Sequence, residues 1–139
     1  MSNLVLVVGG TSGIGLETAR YLSSGHQYKV VACGLETINS KTFESFETDL
    51  RSASAVKNLY DEIQNNHGNI NGLVYCAGIT TTIKPIEQFD EKIWNDIIDT
   101  NVTGFLRVSK YFHKSLKQTA GRVVVVNSIA GKTYSKYSG

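Results

Sequence analysis

Apolar residues in this chain fall into short unbroken runs, separated by stretches with a helical period. The runs Leu4-Val5-Leu6-Val7-Val8, Val30-Val31-Ala32-Cys33, Leu73-Val74-Tyr75-Cys76 and Val123-Val124-Val125-Val126 do not alternate with polar residues. Such continuity marks strands covered on both faces, here over residues 4–8, 29–33, 72–76 and 123–126. A weaker strand is expected over 43–48, with Phe43 and Phe46 as its bulk. Ile14, Thr18, Ala19 and Leu22 share one face of a helix over 13–24, which Gly25 stops. Ala55, Val56, Leu59 and Ile63 do the same over 52–67, with Ser52 as N-cap and Gly68 as the close. Residues 36–41 are too few for a full crossover helix and predict about one turn. A polar loop over 80–87 carries the single proline, Pro85. Asp90 then caps a long helix reaching residue 117, with Phe89 and Trp94 at the positions of a hydrophobic staple. At about 100° per residue, Ile93, Trp94, Ile97, Phe105, Val108 and Phe112 form its apolar stripe. Asn101 falls near the centre of that stripe, and a distortion is expected around 101–104.

Strands and helices alternate, so the fold class is α/β with a doubly wound parallel sheet. Right-handed crossovers and a switch after the third strand give the strand order 3-2-1-4-5. The 139 residues suffice for one domain, 1–139, with one core. A net charge of +2 and scattered lysines leave no basic stripe for nucleic acid. No apolar run approaches membrane-spanning length. The chain enters a strand directly, which reads as a cytoplasmic protein without a leader, and the sequon Asn101-Val102-Thr103 as an accident of composition. Cys33 and Cys76 end strands on opposite sides of the first one. Two strand spacings, roughly 9–10 Å, exceed disulfide reach, so both read as free, largely buried thiols. Their spacing offers no metal site. His26, His67 and His113 sit among polar residues and read as surface side chains.

The stretch Gly9-Gly10-Thr11-Ser12-Gly13-Ile14-Gly15 joins the first strand to the first helix. Gly9 can take backbone angles that other residues resist, and Gly13 and Gly15 put no side chain in the way of a ligand or a packed strand. The open N–H groups of the first helical turn, with the helix dipole behind them, favour an anion such as a pyrophosphate. The spacing Gly9-x-x-x-Gly13-x-Gly15 resembles the fingerprint of the short-chain dehydrogenase/reductase family, a Rossmann-like fold, with Val8 where that family usually has Thr. The resemblance implies a cofactor site built from Gly9, Thr11, Ser12, Gly13, Ile14 and Gly15. Gly34 and Leu35 at the end of the second strand, Asp49 and Leu50 after the third, and Cys76, Ala77 and Gly78 after the fourth complete it. Asp49 stands where the family contacts the adenine amino group. Tyr75-Cys76-Ala77-Gly78 stands where the family has Asn-Asn-Ala-Gly, so both asparagine side chains are replaced.

Two candidates for chemistry follow from the same resemblance. Thr100-Asn101-Val102-Thr103-Gly104 resembles the family's Asn motif, in which Asn101 would hold a water or a helix distortion at the active site. Ser128, in Asn127-Ser128-Ile129-Ala130-Gly131, resembles the serine that hydrogen-bonds the substrate oxygen; no Gly-x-Ser-x-Gly elbow surrounds it. The family's Tyr-x-x-x-Lys pair has no match, since Tyr134 and Tyr137 come too early and lack the lysine. The resemblance therefore covers the cofactor-binding half only, and this chain alone is expected to be inactive. The implied activity is hydride transfer between a nicotinamide cofactor and a small-molecule carbonyl or alcohol. Gly34, Leu35 and Ser12 supply no carboxylate against a 2′-phosphate and no cation for it, although Lys41 is near in sequence; the reading leans to NADP(H) over NAD(H). A non-catalytic nucleotide-binding or assembly module is the alternative, while a flavodoxin-like electron carrier fits the sheet but not the glycines. Exposed apolar groups such as Ile98 and Leu106 on the long helix predict a homo-oligomer.

Overall fold

The computed structural model describes residues 3–25, 27–82 and 84–132. Five strands form one parallel sheet, β1 (Asn3–Val8), β2 (Tyr28–Gly34), β3 (Glu44–Glu47), β4 (Gly72–Tyr75) and β5 (Arg122–Val125), in the order β3-β2-β1-β4-β5. Both the class and the order agree with the sequence reading. Val8 pairs with Cys33 on one side and Tyr75 on the other, so three strand ends meet at one level.

The side-chain alternation of each strand feeds two cores. Leu4, Leu6, Val8, Val31, Cys33, Leu73 and Tyr75 face one layer, made by α2 (Ala53–Asn66) and α4 (Gly104–Thr119). Val5, Val7, Val30 and Ala32 face the other, under Ala19 of α1 (Gly13–Ser24) and Phe43. Each β1 side chain from Leu4 to Val8 is at most 6 % exposed, and burial of such a side chain is worth about 1.5–3 kcal/mol. The second helix begins as expected, with Ser52 accepting the Ala55 N–H at 3.2 Å.

Four expectations are corrected. β5 is not covered: Val123, Val124, Val125 and Val126 are 42–55 % exposed, because β5 is the edge strand and no described element lies over it. Residues 36–41 form no helical turn; Ser45 Oγ instead holds the Ile38 backbone through both N–H and C=O at 2.9 Å. The His67 side chain is buried to 8 % exposure with Nε2 2.9 Å from the Glu44 carboxylate, because it closes α2 against the start of β3. His113 is exposed as expected, and His26 lies outside the described residues. Both thiols are free, but Cys76 is only partly buried.

The long helix is broken into α3 (Glu91–Ile98), a π-helical turn (Asp99–Thr103) and α4, which places the expected distortion on Asn101. The Asp90 cap accepts the Lys92 N–H at 2.8 Å, and the Phe89 and Trp94 rings meet edge to face at 6.2 Å. The apolar stripe is buried only at its α4 end. Val108 and Phe112 are fully buried, while Trp94 is exposed, because α3 projects past the core. Ile98 and Leu106 are exposed as expected. No helix among the described residues is long and apolar enough to cross a membrane.

Candidate functional site

A cleft of about 530 Å³ opens at the carboxyl ends of the strands, where ligands of such sheets bind. All the candidate cofactor residues line it, from Gly9 through Gly34, Leu35, Asp49 and Leu50 to Gly78. The turn after β1 is drawn against β2 because the Gly9 and Gly10 N–H groups both donate to the Cys33 carbonyl at 2.9 Å. Gly9 has φ +74°, and a Cβ there would lie 2.6 Å from the Ala77 backbone nitrogen. A Cβ on Gly15 would lie 2.0 Å from the Gly9 carbonyl oxygen. These two glycines therefore let the turn, the start of α1 and the segment after β4 close on one another. Gly13 has φ +51° and open space where a Cβ would point. Ser12 is the extended N-cap of α1, but its side chain accepts none of the first-turn N–H groups, and that turn holds no acidic residue. The uncapped N–H groups at a helix start suit a bound phosphate.

On the far side of the cleft, the Thr11 hydroxyl fills the space that a side chain at position 34 would use; a Cβ on Gly34 would stand 1.9 Å from Thr11 Oγ1. Asp49 is gripped by Arg51: Nε donates to Oδ1 at 3.0 Å, Nη2 donates to Oδ2 at 2.8 Å, and the Arg51 backbone N–H donates to Oδ1 at 2.9 Å. The Arg51 fork holds the Asp49 carboxyl below its ordinary range. Arg107 bridges Leu50 and the π-turn, donating to the Leu50 carbonyl at 3.0 Å and to Asp99 at 2.7 Å. Glu36, Arg51, Ile79 and Thr100 line the cleft and were not picked out by sequence reasoning. The signal for Arg51 was its place two residues after Asp49 at a strand end. The signal for Glu36 was its place two residues past the end of β2. Lys41 is not among the described lining residues.

Neither of the two candidates for chemistry lines the cleft, although Asn101 lies beside Gly78 at its rim. Asn101 is half-buried, and its carboxamide is spent on the Ile79 backbone: Oδ1 accepts the N–H and Nδ2 donates to the C=O, each at 2.8 Å. Its neighbour Thr100 lines the cleft, but Asn101 does not. Ser128 is exposed and caps the 3-10 turn Ile129–Gly131, its Oγ accepting the Ala130 N–H at 3.1 Å. The structure does not bring Ser128 into the cleft. Tyr134 and Tyr137 lie outside the described residues. Cys33 lines the cleft floor, and burial pushes its thiol up to about 12.

The sequence model of the short chain dehydrogenase family matches residues 3–138. The chain belongs to that family. It is 31% identical over 143 residues to a 3-oxoacyl-[acyl-carrier-protein] reductase of Staphylococcus epidermidis, a match covering 94% of this chain and 58% of the relative. Among solved structures it resembles the aldohexose dehydrogenase of Thermoplasma acidophilum, with a TM-score of 0.88 and 26% identity over 99% of this chain and 53% of that one. An actinorhodin polyketide ketoreductase solved with NADPH is also 26% identical, with a TM-score of 0.85, over 99% of this chain and 57% of that one. The chain thus spans about half the length of the proteins it matches.

Proposed function

We propose that this chain is one dinucleotide-binding unit, the cofactor half of an oxidoreductase that moves hydride between a nicotinamide cofactor and a carbonyl or alcohol. The observation that carries the reading is the glycine turn, where the closeness of Gly9, Gly15 and Ala77 leaves the uncapped start of α1 facing the cleft. The residues fit the group. The N–H groups of the first turn would hold the pyrophosphate, Asp49 and Leu50 the adenine, and Ala77 and Gly78 would leave room for the ribose. When bound, the cofactor supplies the hydride; the protein binds and orients it and excludes water. Asn101 keeps the π-turn in place beside the cleft, and Ser128 would hydrogen-bond the substrate oxygen.

NADP(H) is preferred over NAD(H) in this reading, because Gly34 and Leu35 put no carboxylate at the strand end and Thr11 fills the vacated space. Glu36 works against that preference, and a measured tenfold preference for NADH would contradict it. The exposed apolar groups Trp94, Ile98 and Leu106 support self-association, which light scattering across a concentration series tests; a clean monomer at high concentration contradicts it.

By itself the chain does not turn over substrate. Carbonyl reduction needs a proton donor within hydrogen-bond reach, and no tyrosine is followed four residues later by lysine. Loss of a general acid costs roughly 10²–10⁴ in rate. The test is NADPH oxidation over a panel of ketones, by this chain and by one lengthened with a helix bearing Tyr-x-x-x-Lys. Turnover by the longer chain alone supports the reading, and equal turnover by both overturns it.

A further inference from the structure

We propose that Tyr75 is a positioning residue: its phenol and the Asn101 carboxamide together clip the π-turn Asp99–Thr103 to the end of β4 and so set where that turn meets the cleft. The inference rests on the reading of the cleft as a dinucleotide site. Tyr75 is the last residue of β4 and is 2 % exposed. Its hydroxyl donates to the Thr100 carbonyl at 3.1 Å, and its ring meets the Phe105 ring edge to face at 5.1 Å. The next residue after the turn, Gly104, is shaped around it. A Cβ there would stand 3.0 Å from Tyr75 Oη and 3.0 Å from Leu50 Cβ.

A phenylalanine would fill the same apolar space without a polar atom to satisfy. A buried hydroxyl instead needs a partner, and the partner it finds is a carbonyl of the π-turn. Burial pushes the phenol up to about 12, so it remains an O–H donor throughout the neutral range. The second half of the clip comes from the turn itself. Asn101 grasps both backbone groups of Ile79, the residue that follows Gly78 on the cleft rim. The clip thus has three hydrogen bonds, one donated from β4 to the turn and two, in opposite senses, between the turn and the loop after β4. Strand end, loop and turn are thereby held as one body, with Thr100 and Ile79 both lining the cleft. Position 75 is where the family has the first asparagine of its Asn-Asn-Ala-Gly motif; here an aromatic side chain stands there and its hydroxyl reaches the turn.

The test uses Tyr75→Phe in the full chain, read by amide hydrogen exchange and by nucleotide titration. Loss of the bond is expected to speed exchange at the Ile79 amide by about tenfold while the β1 amides keep their protection. NADPH affinity is expected to fall severalfold and 2′,5′-ADP affinity with it, because Arg107 ties the π-turn to the Leu50 carbonyl at the adenine side of the cleft. A purely structural tyrosine would lower all protections together, those of β1 included, and that result overturns the proposal. So does unchanged exchange at Ile79. Gly104→Ala is the second variant, and it decides the matter should Tyr75→Phe fail to fold: its methyl meets the phenol oxygen, and it is expected to loosen Ile79 with β1 intact. Unchanged Ile79 exchange there overturns the clip as well. Failure of the unaltered chain to bind either nucleotide removes the dinucleotide reading, and the clip is then judged by exchange alone.

Discussion

β1 and β5 are almost the same as sequence and opposite as structure. Leu4 to Val8 and Val123 to Val126 are both unbroken aliphatic runs, yet the first is at most 6 % exposed and the second at least 42 %. Their registers on β4 are equivalent: Leu73 and Tyr75 pair with Leu6 and Val8 on one side and with Val123 and Val125 on the other. The difference lies in the layers. α1 covers one face of β1, α2 and α4 cover the other, and β2 and β4 fill both edges. β5 has one neighbouring strand and no described cover. An apolar run thus specifies a strand, while its burial depends on what the rest of the chain brings to it. The same contrast divides the candidate residues, because the glycine turn hangs on β1 and Ser128 hangs on the end of β5.

The largest effect that would break this contrast is expected at the glycine turn. Gly15→Ala puts a methyl 2.0 Å from the Gly9 carbonyl, where the neighbour is backbone and cannot rotate away. Overpacking of this kind costs about 1–3 kcal/mol, and thermal unfolding should show the upper end, together with loss of NADPH binding. A paired truncation sharpens the comparison. Val7→Ala removes fully buried methyls and should cost about 2 kcal/mol, whereas Val124→Ala at the edge should stay within about 0.5 kcal/mol. Equal costs in urea unfolding would show that β5 is covered in solution.

Thiol chemistry compares two depths within the cleft next. Cys33 is fully buried, and its thiol is pushed up to about 12 by burial, whereas Cys76 is half-buried and raised less. Ellman's reagent should modify Cys76 first in the native chain and Cys33 only on unfolding. The sign of the pH effect follows. Cys33 binds its proton more tightly when folded, so its contribution to stability is whole below the ordinary thiol value of 9.0 and is lost as pH rises toward 12. The smallest effect is at Asp49, where the Arg51 fork lowers the carboxyl. Its contribution is present above the ordinary carboxylate range and is lost as pH falls through the lowered value. Both partners are open to solvent, so Asp49→Asn should flatten the acid limb of the stability profile only slightly.

The strand order and the glycine turn were legible because each depends on local pattern: continuous runs, helix stops and three spaced glycines. The cleft followed from them, since strand ends in a parallel sheet share one rim. Arg51 and Glu36 were not legible, because a charged residue near a strand end reads the same whether it faces the cleft or bulk water. His67 was hidden for a related reason: its neighbours in sequence are polar, and the Glu44 that covers it is far away along the chain. Ser128 was picked out by resemblance, and it lies at the end of a strand with no cover among the described residues.

The most direct measurement of the central claim is a calorimetric titration of this chain with NADPH and with NADH, run beside Gly15→Ala. The cleft lies at the ends of the three central strands, where the glycine turn closes on the segment after β4. One saturable site per chain is therefore expected in the unaltered protein, and none in the variant. Absence of binding of either nucleotide at millimolar concentration, or equal binding by Gly15→Ala, would contradict the account.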